Sequence, residues 1–151
     1  MLLERSGRRF LLHAYPHDPR SSSFGDEAAA ALDVPPSRVF KTLVVDTGGA
    51  LGVAVVPVAS RLDLKALSAL LGAKRTVMAD AGAVERVTGY VLGGVSPLGQ
   101  RSPLPTVVDR SALEHTTVYV SAGRRGLEVE LDPTDLIELT AAVTGSVSRA
   151  D

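Results

Sequence analysis

Residues 93–99 read Gly-Gly-Val-Ser-Pro-Leu-Gly, the stretch of this chain best suited to hold a ligand with its backbone. Consecutive glycines such as Gly93 and Gly94 reach dihedrals that aim neighbouring N–H groups at one point. Such a nest holds a phosphate or a developing oxyanion. It is not a P-loop, because no Gly-Lys-Ser/Thr follows at the required spacing. Nor is Ser96 a nucleophile elbow, since that motif wants a glycine two residues on and Leu98 stands there. Placed after a strand, the loop also fits a plain tight connection between strands.

Lys41 is one of only three lysines and interrupts the apolar run Phe40 to Val45. On a rigid strand it is a well-placed point charge for a phosphate or ester oxygen; on the wet face of a sheet it is ordinary surface. His13 and His17 are four apart, but Pro16 between them rules out the two-histidine face of a helical zinc site. Neither a metal nor a cofactor is expected. Arg124-Arg125 falls at a hairpin tip, where paired arginines either grip phosphate or are simply solvated.

The elements that must position these residues follow from periodicity and punctuation. Arg9–Tyr15 reads as a strand stopped by Pro16. Ser23 is suited to cap a helix that runs through the alanines to Leu32 and ends at Pro35-Pro36. Phe40–Asp46 and Leu51–Val58 form a hairpin across Thr47-Gly48-Gly49-Ala50. Asp63 caps a helix carrying Leu64, Leu67, Leu70 and Leu71, closed by Gly72, and Asp80 caps another that closes near Gly89. Thr76–Ala79 and Thr106–Asp109 are short strands. Thr116–Ser121 and Gly126–Leu131 make a second hairpin, and Asp132-Pro133 opens a last helix through about Thr140. The predicted fold class is α+β: a mixed, partly barrel-like sheet of six to seven strands surrounded by helices. One domain is expected over 1–151, with its core between about 9 and 140 and a polar, frayed tail from Thr144.

Composition narrows the functions. Charged residues are 22% and hydrophobic ones 45%, which suits a packed globule and not a disordered chain. The net charge of -1 excludes a generally basic nucleic-acid glove. Charge is uneven, however: residues 1–75 hold ten Lys/Arg against seven acids and residues 76–151 six against ten, so an anion site draws on the first half. There is no cysteine, hence no disulfide scaffold or thiol nucleophile. No apolar run approaches the roughly 20 residues that span a bilayer, so no membrane partner and a cytoplasmic location are expected.

The chain resembles the YbaK/EbsC family of free-standing aminoacyl-tRNA editing domains, which are related to the insertion domain of bacterial prolyl-tRNA synthetase. The resembling segments include His13-Ala14-Tyr15-Pro16-His17-Asp18-Pro19, Phe24-Gly25-Asp26-Glu27, Val39-Phe40-Lys41-Thr42-Leu43, Leu62-Asp63-Leu64-Lys65, the Gly93–Gly99 loop and Tyr119–Glu128, in order from about residue 9 to 140. The resemblance implies hydrolysis of mischarged tRNA(Pro), most typically Cys-tRNA(Pro), with prolyl-tRNA synthetase as a transient partner. It makes Lys41 the residue that holds the 3′-terminal nucleotide. Gly93 and Pro97 become the ends of a Gly-x-x-x-Pro loop against the ester, and Tyr15, Phe24 and Ser121 pocket-lining positions, with Ser96 beside them. The Gly93 and Gly94 amides would hold the carbonyl oxygen, and Arg124 and Arg125 would meet tRNA. The implied chemistry is attack of the substrate's own thiol on its ester. The N-terminal helix usual in the family is mostly missing here. Ala-tRNA(Pro) hydrolysed by water, or a non-catalytic module that binds tRNA ends, remain the alternatives.

Overall fold

The computed structural model describes residues 2–20 and 24–150. The expected Ser23 cap and the Phe24 side chain lie outside the described residues. The elements in chain order are α1 (Leu2–Ser6), β1 (Phe10–Ala14), α2 (Phe24–Leu32), β2 (Phe40–Asp46), β3 (Leu51–Pro57) and β4 (Ser60–Leu62). Then come α3 (Leu64–Leu71), β5 (Val77–Met78), α4 (Ala81–Thr88), β6 (Thr106–Asp109), β7 (Val118–Arg124), β8 (Leu127–Leu131), α5 (Pro133–Thr140), β9 (Val143–Gly145) and β10 (Ser148–Ala150).

The predicted helix caps are in place. Asp63 accepts from the Ala66 N–H, Asp80 from Ala83 and Asp132 from Thr134, each satisfying a donor at a helix start. Gly72 and Gly89 close α3 and α4 in the left-handed conformation, with φ of 70° and 83°. The β2–β3 turn is held by Asp46, whose Oδ1 accepts from the Gly48 and Gly49 amides.

A five-stranded mixed sheet runs β5-β2-β3-β6-β9, with β3, β6 and β9 parallel and the rest antiparallel. An antiparallel sheet β1-β8-β7 meets it at a single parallel bridge, Val39 to Tyr119. β4 and β10 form a separate ribbon. The main core lies between the two sheets and includes Phe40, Val44, Val53, Val55, Val120, Val129 and Leu136. A second core, with Val45, Ala54, Val56, Val107 and Val147, packs the opposite face of the larger sheet against Leu67 of α3. Burial on both faces explains why β2, β3 and β6 read as continuous apolar runs. The α+β class is as expected. The seven anticipated strands are all present, and the three additional ones, β4, β9 and β10, have three residues each, too short to show alternation.

Both chain ends depart from expectation. At the N-terminus only the five-residue α1 precedes β1, in keeping with a mostly missing helix, but its Leu3 is 2% exposed and packs into the main core. The expected frayed tail is corrected as well. β9 pairs with β6 and β10 with β4, and between them Val147 is fully buried, so the core extends beyond 9–140 at both ends. The buried Asp109 explains the order: its Oδ1 accepts from the Val147 N–H at 2.9 Å and its Oδ2 from Ser111. No helix among the described residues is long and apolar enough to cross a membrane.

Candidate active site

A cavity of about 330 Å3 opens where the two sheets diverge, and its lining includes Tyr15, Lys41, Gly93 and Ser121. Four segments far apart in sequence thus contribute predicted residues to one pocket. Tyr15 follows β1, where its N–H donates to the Gly126 carbonyl at 2.9 Å. Burial, and then the charge of Glu128, raise its phenol above the ordinary range. Lys41 is half-buried on β2, and its Nζ donates to the Ser60 carbonyl at 2.9 Å. An ammonium has three donors, so this bond aims the group without exhausting it.

Ser121 stands at a β-bulge: the β7–β8 register shifts between Ser121 and Arg124, and its Oγ accepts from the Gly123 N–H. Bulges re-aim side chains at such places. Gly123 has φ of 114°, and a Cβ there would lie 2.9 Å from the Tyr90 ring, so only glycine fits.

The Gly93–Gly99 loop follows α4 and a turn, not a strand. Val91 to Gly94 is a β-turn closed by the Gly94 N–H on the Val91 carbonyl at 3.0 Å, with Gly93 at the positive-φ position (89°). This corrects the paired-amide expectation: the Gly94 amide is committed inside the turn, and of the two glycines only Gly93 is part of the cavity lining. Behind it the loop is braced by three contacts. Ser96 Oγ accepts from the Leu98 N–H, Tyr90 Oη donates to the Leu98 carbonyl at 2.6 Å, and Arg125 donates to the Leu92 carbonyl. Ser96 and Pro97 are buried and do not line this pocket. Ser96 faces a smaller cavity of about 190 Å3 shared with Leu2, Leu3 and Tyr90. Arg124 and Arg125 are exposed on the hairpin that packs against Gly94, outside the cavity lining.

Three further polar residues line the pocket that sequence reasoning gave no site role: Glu128, Thr42 and Asp26. Glu128 is 6% exposed, on the face of β8 opposite the main core, and burial pushes its carboxyl up to about 7. In sequence, Leu127-Glu128-Val129-Glu130-Leu131 reads as a strand with a wet acidic face; its place beside Ser121 in the register was the available signal. Thr42 Oγ1 is the one buried side-chain polar atom without a partner among the described residues. Buried polar groups are nearly always paired, which makes this hydroxyl, on a residue of the cavity lining, an exception. The arrangement combines a cation, a backbone donor, hydroxyls and an ionisable carboxyl, and none of the lining residues is a built-in nucleophile of the serine–histidine type.

Residues 18–139 match the aminoacyl-tRNA editing domain. The chain is 38% identical over 117 residues to EbsC of Enterococcus faecalis (strain ATCC 700802 / V583), a candidate Cys-tRNA(Pro)/Cys-tRNA(Cys) deacylase, across 76% of this chain and 71% of that one. Hypothetical protein APE2540 superposes with a TM-score of 0.85 at 32% identity, over 99% of this chain and 100% of its own. A candidate trans-editing enzyme for prolyl tRNA synthetase superposes with a TM-score of 0.84 at 26% identity, over 93% of this chain and 87% of its own. The chain belongs to the aminoacyl-tRNA editing domain family. Its activity is of the aminoacyl-tRNA deacylase class.

Proposed function

We propose that this protein deacylates mischarged tRNA(Pro) in trans, with Cys-tRNA(Pro) as its substrate. The observation that carries this reading is the convergence of Tyr15, Lys41, Gly93 and Ser121 on one cavity with a buried carboxyl. An aminoacyl ester is already activated, so positioning and oxyanion stabilisation account for much of the rate. Lys41 holds a phosphate oxygen of the 3′-terminal nucleotide, and the Gly93 N–H meets the ester carbonyl oxygen. Tyr15 and Ser121 bound the aminoacyl side chain.

In the reaction the cysteine thiol attacks its own ester carbonyl. A sulfur–carbon bond forms, the bond from that carbon to the ribose 3′ oxygen breaks, and the thiol proton ends on the departing hydroxyl. The products are a cyclic thiolactone and free tRNA. Glu128 is placed to carry that proton: a carboxyl titrating at about 7 lies within roughly two units of a thiol at about 8.5. The same carboxylate would serve a water nucleophile, which is the observation favouring Ala-tRNA(Pro) as the second reading. With a net charge of -1 the domain binds tRNA weakly alone, so prolyl-tRNA synthetase is its transient partner in the complex.

The test is deacylation of tRNA(Pro) charged in parallel with cysteine, alanine and proline, using catalytic amounts of protein with and without the synthetase. Loss of the cysteinyl ester alone, with thiolactone as the first product, is expected. Loss of the alanyl ester moves the assignment to water-mediated hydrolysis. No turnover of any of the three overturns the reading, and unchanged tRNA affinity on adding synthetase overturns the partner.

A further inference from the structure

Two of the chain's three lysines, Lys65 and Lys74, stand with Arg75 around a single shallow groove of about 390 Å3 between α3 and the loop that follows it. All three are exposed, and none has an ion pair among the described residues. The carboxylates nearest in sequence are committed elsewhere. Asp63 caps α3 through the Ala66 N–H, and Asp80 caps α4 through Ala83. Three of the ten Lys/Arg of residues 1–75 thus stand together here, outside the cavity that holds Lys41.

The groove is built rather than incidental. Ser68 and Thr76 are 7% and 5% exposed; Ser68 Oγ and Thr76 Oγ1 lie 2.9 Å apart, and both donate to the Leu64 carbonyl. These bonds clamp the loop to α3 and fix the spacing of Lys74 and Arg75 against Lys65. Its lining holds one large apolar side chain, Leu64, beside Ser68, Ala69, Ala73 and Thr76, and no aromatic anchor for a protein partner. A row of cations along a shallow groove suits a row of phosphates.

Its position relative to the cavity points the same way. Lys41 alternates with Leu43 and Val45 on the face of β2 that α3 covers. From Lys41 to Asp46 the strand advances about 17 Å, and Asp46 pairs with Val77, two residues beyond Arg75. Lys41 and the groove thus lie on the same side of the larger sheet, towards opposite ends of β2.

We propose that Lys65, Lys74 and Arg75 bind the phosphate backbone of the acceptor-stem duplex of the tRNA whose 3′ end occupies the cavity. The proposal rests on the editing reading above, but its test does not depend on catalysis. An uncharged RNA hairpin that reproduces the acceptor stem with its unpaired 3′ tail is titrated, over a range of low salt, against wild type and against K65Q/K74Q/R75Q. A second titration uses the unpaired tail alone. The expected result is a loss of hairpin affinity of tenfold or more and a salt slope shallower by about two to three, as three lost phosphate contacts dictate, with tail affinity unchanged. A melting temperature equal to wild type confirms that the variant is folded.

Unchanged hairpin affinity and slope would overturn the proposal, as would equal losses for hairpin and tail, or failure of the wild type to bind the hairpin. A wild type that binds the hairpin through these residues yet deacylates nothing would leave the groove standing and remove the editing reading instead.

Discussion

The backbone of Arg124 lies directly over Gly94: a Cβ built on Gly94 would be 2.9 Å from the Arg124 Cα and 3.3 Å from the Arg125 nitrogen. The β7–β8 hairpin tip therefore rests on the glycine loop with no room for a side chain, and the second glycine of the pair is needed for packing. The conformational freedom that the motif suggests is used one residue earlier, at Gly93, whose φ is 89°.

Gly94→Ala should accordingly force hairpin and loop apart, because the opposing atoms are backbone and cannot rotate away. Overpacking of this kind costs about 1–3 kcal/mol, read as a fall in melting temperature, and deacylation should fall with it as Gly93 and Ser121 move. Gly82→Ala is the contrast. A Cβ there meets no backbone, only the end of the Arg86 side chain at 3.4 Å and the capping Oδ2 of Asp80 at 3.3 Å, which needs to give by a few tenths of an ångström. It should leave stability unchanged or raise it by up to about 1 kcal/mol.

Lys41→Ala should cut kcat/KM for the mischarged tRNA by about a hundredfold or more, the scale of losing a positioned charge at a reacting centre. Lys41 is half-exposed and makes one carbonyl bond, so the melting temperature should barely move. A folded Lys41→Ala protein with full activity would remove Lys41 from the site.

How far a sequence discloses such a site depends on the range of the contacts that make it. Lys41 stood out because a lysine inside Phe40–Val45 conflicts with its strand, and the caps Asp63, Asp80 and Asp132 because they act within a few residues of themselves. Glu128 did not stand out, because a glutamate alternating with Leu127 and Val129 is what a solvated strand face looks like. Only the fold, by setting it in the cavity with Tyr15 and Ser121, takes that face out of water. The amide of Gly94 was likewise hidden, since its use in the Val91 turn depends on local dihedrals that the residue types allow but do not dictate. The short strands β4, β9 and β10 exist only through long-range pairing, which composition does not record.

Glu128 makes stability and activity depend on pH in opposite directions. Its carboxyl titrates at about 7 in the folded protein, above the ordinary carboxylate value of 4.5 that it has when unfolded. Between those values the native state holds the extra proton, so the contribution is complete below about pH 4.5 and is lost as pH rises through about 7. The loss is roughly 3 kcal/mol at most. Melting temperature should thus decline from pH 5 to 8 in wild type, and Glu128→Gln should flatten that decline. Deacylation should instead rise through about pH 7 as the carboxylate becomes available to take a proton, and in Glu128→Gln that limb should disappear. A wild-type rate profile without an inflection near pH 7 would exclude Glu128 from proton transfer.

The C-terminal segment is the last place where structure and composition disagree, and truncation separates them. If the polar residues after Ala142 were a frayed tail, removing them would be neutral. Here their removal deletes β9, exposes the ladder edge of β6 and takes the fully buried Val147 out of the second core. It also leaves Asp109 Oδ1, at 3% residue exposure, without the Val147 N–H it accepts from. Leaving a buried charged acceptor unpaired costs about 1–3 kcal/mol or more, and the lost Val147 side chain adds roughly 2 kcal/mol. Against a total of about 5–15 kcal/mol for a domain of this kind, the truncated protein should melt well below the full chain or fail to stay soluble. Val147→Ala alone should cost about 2 kcal/mol with activity at permissive temperature retained, since Val147 lies on the α3 side of the sheet and outside the cavity. A truncated protein that melts with the full chain would show that β9 and β10 contribute nothing to the fold.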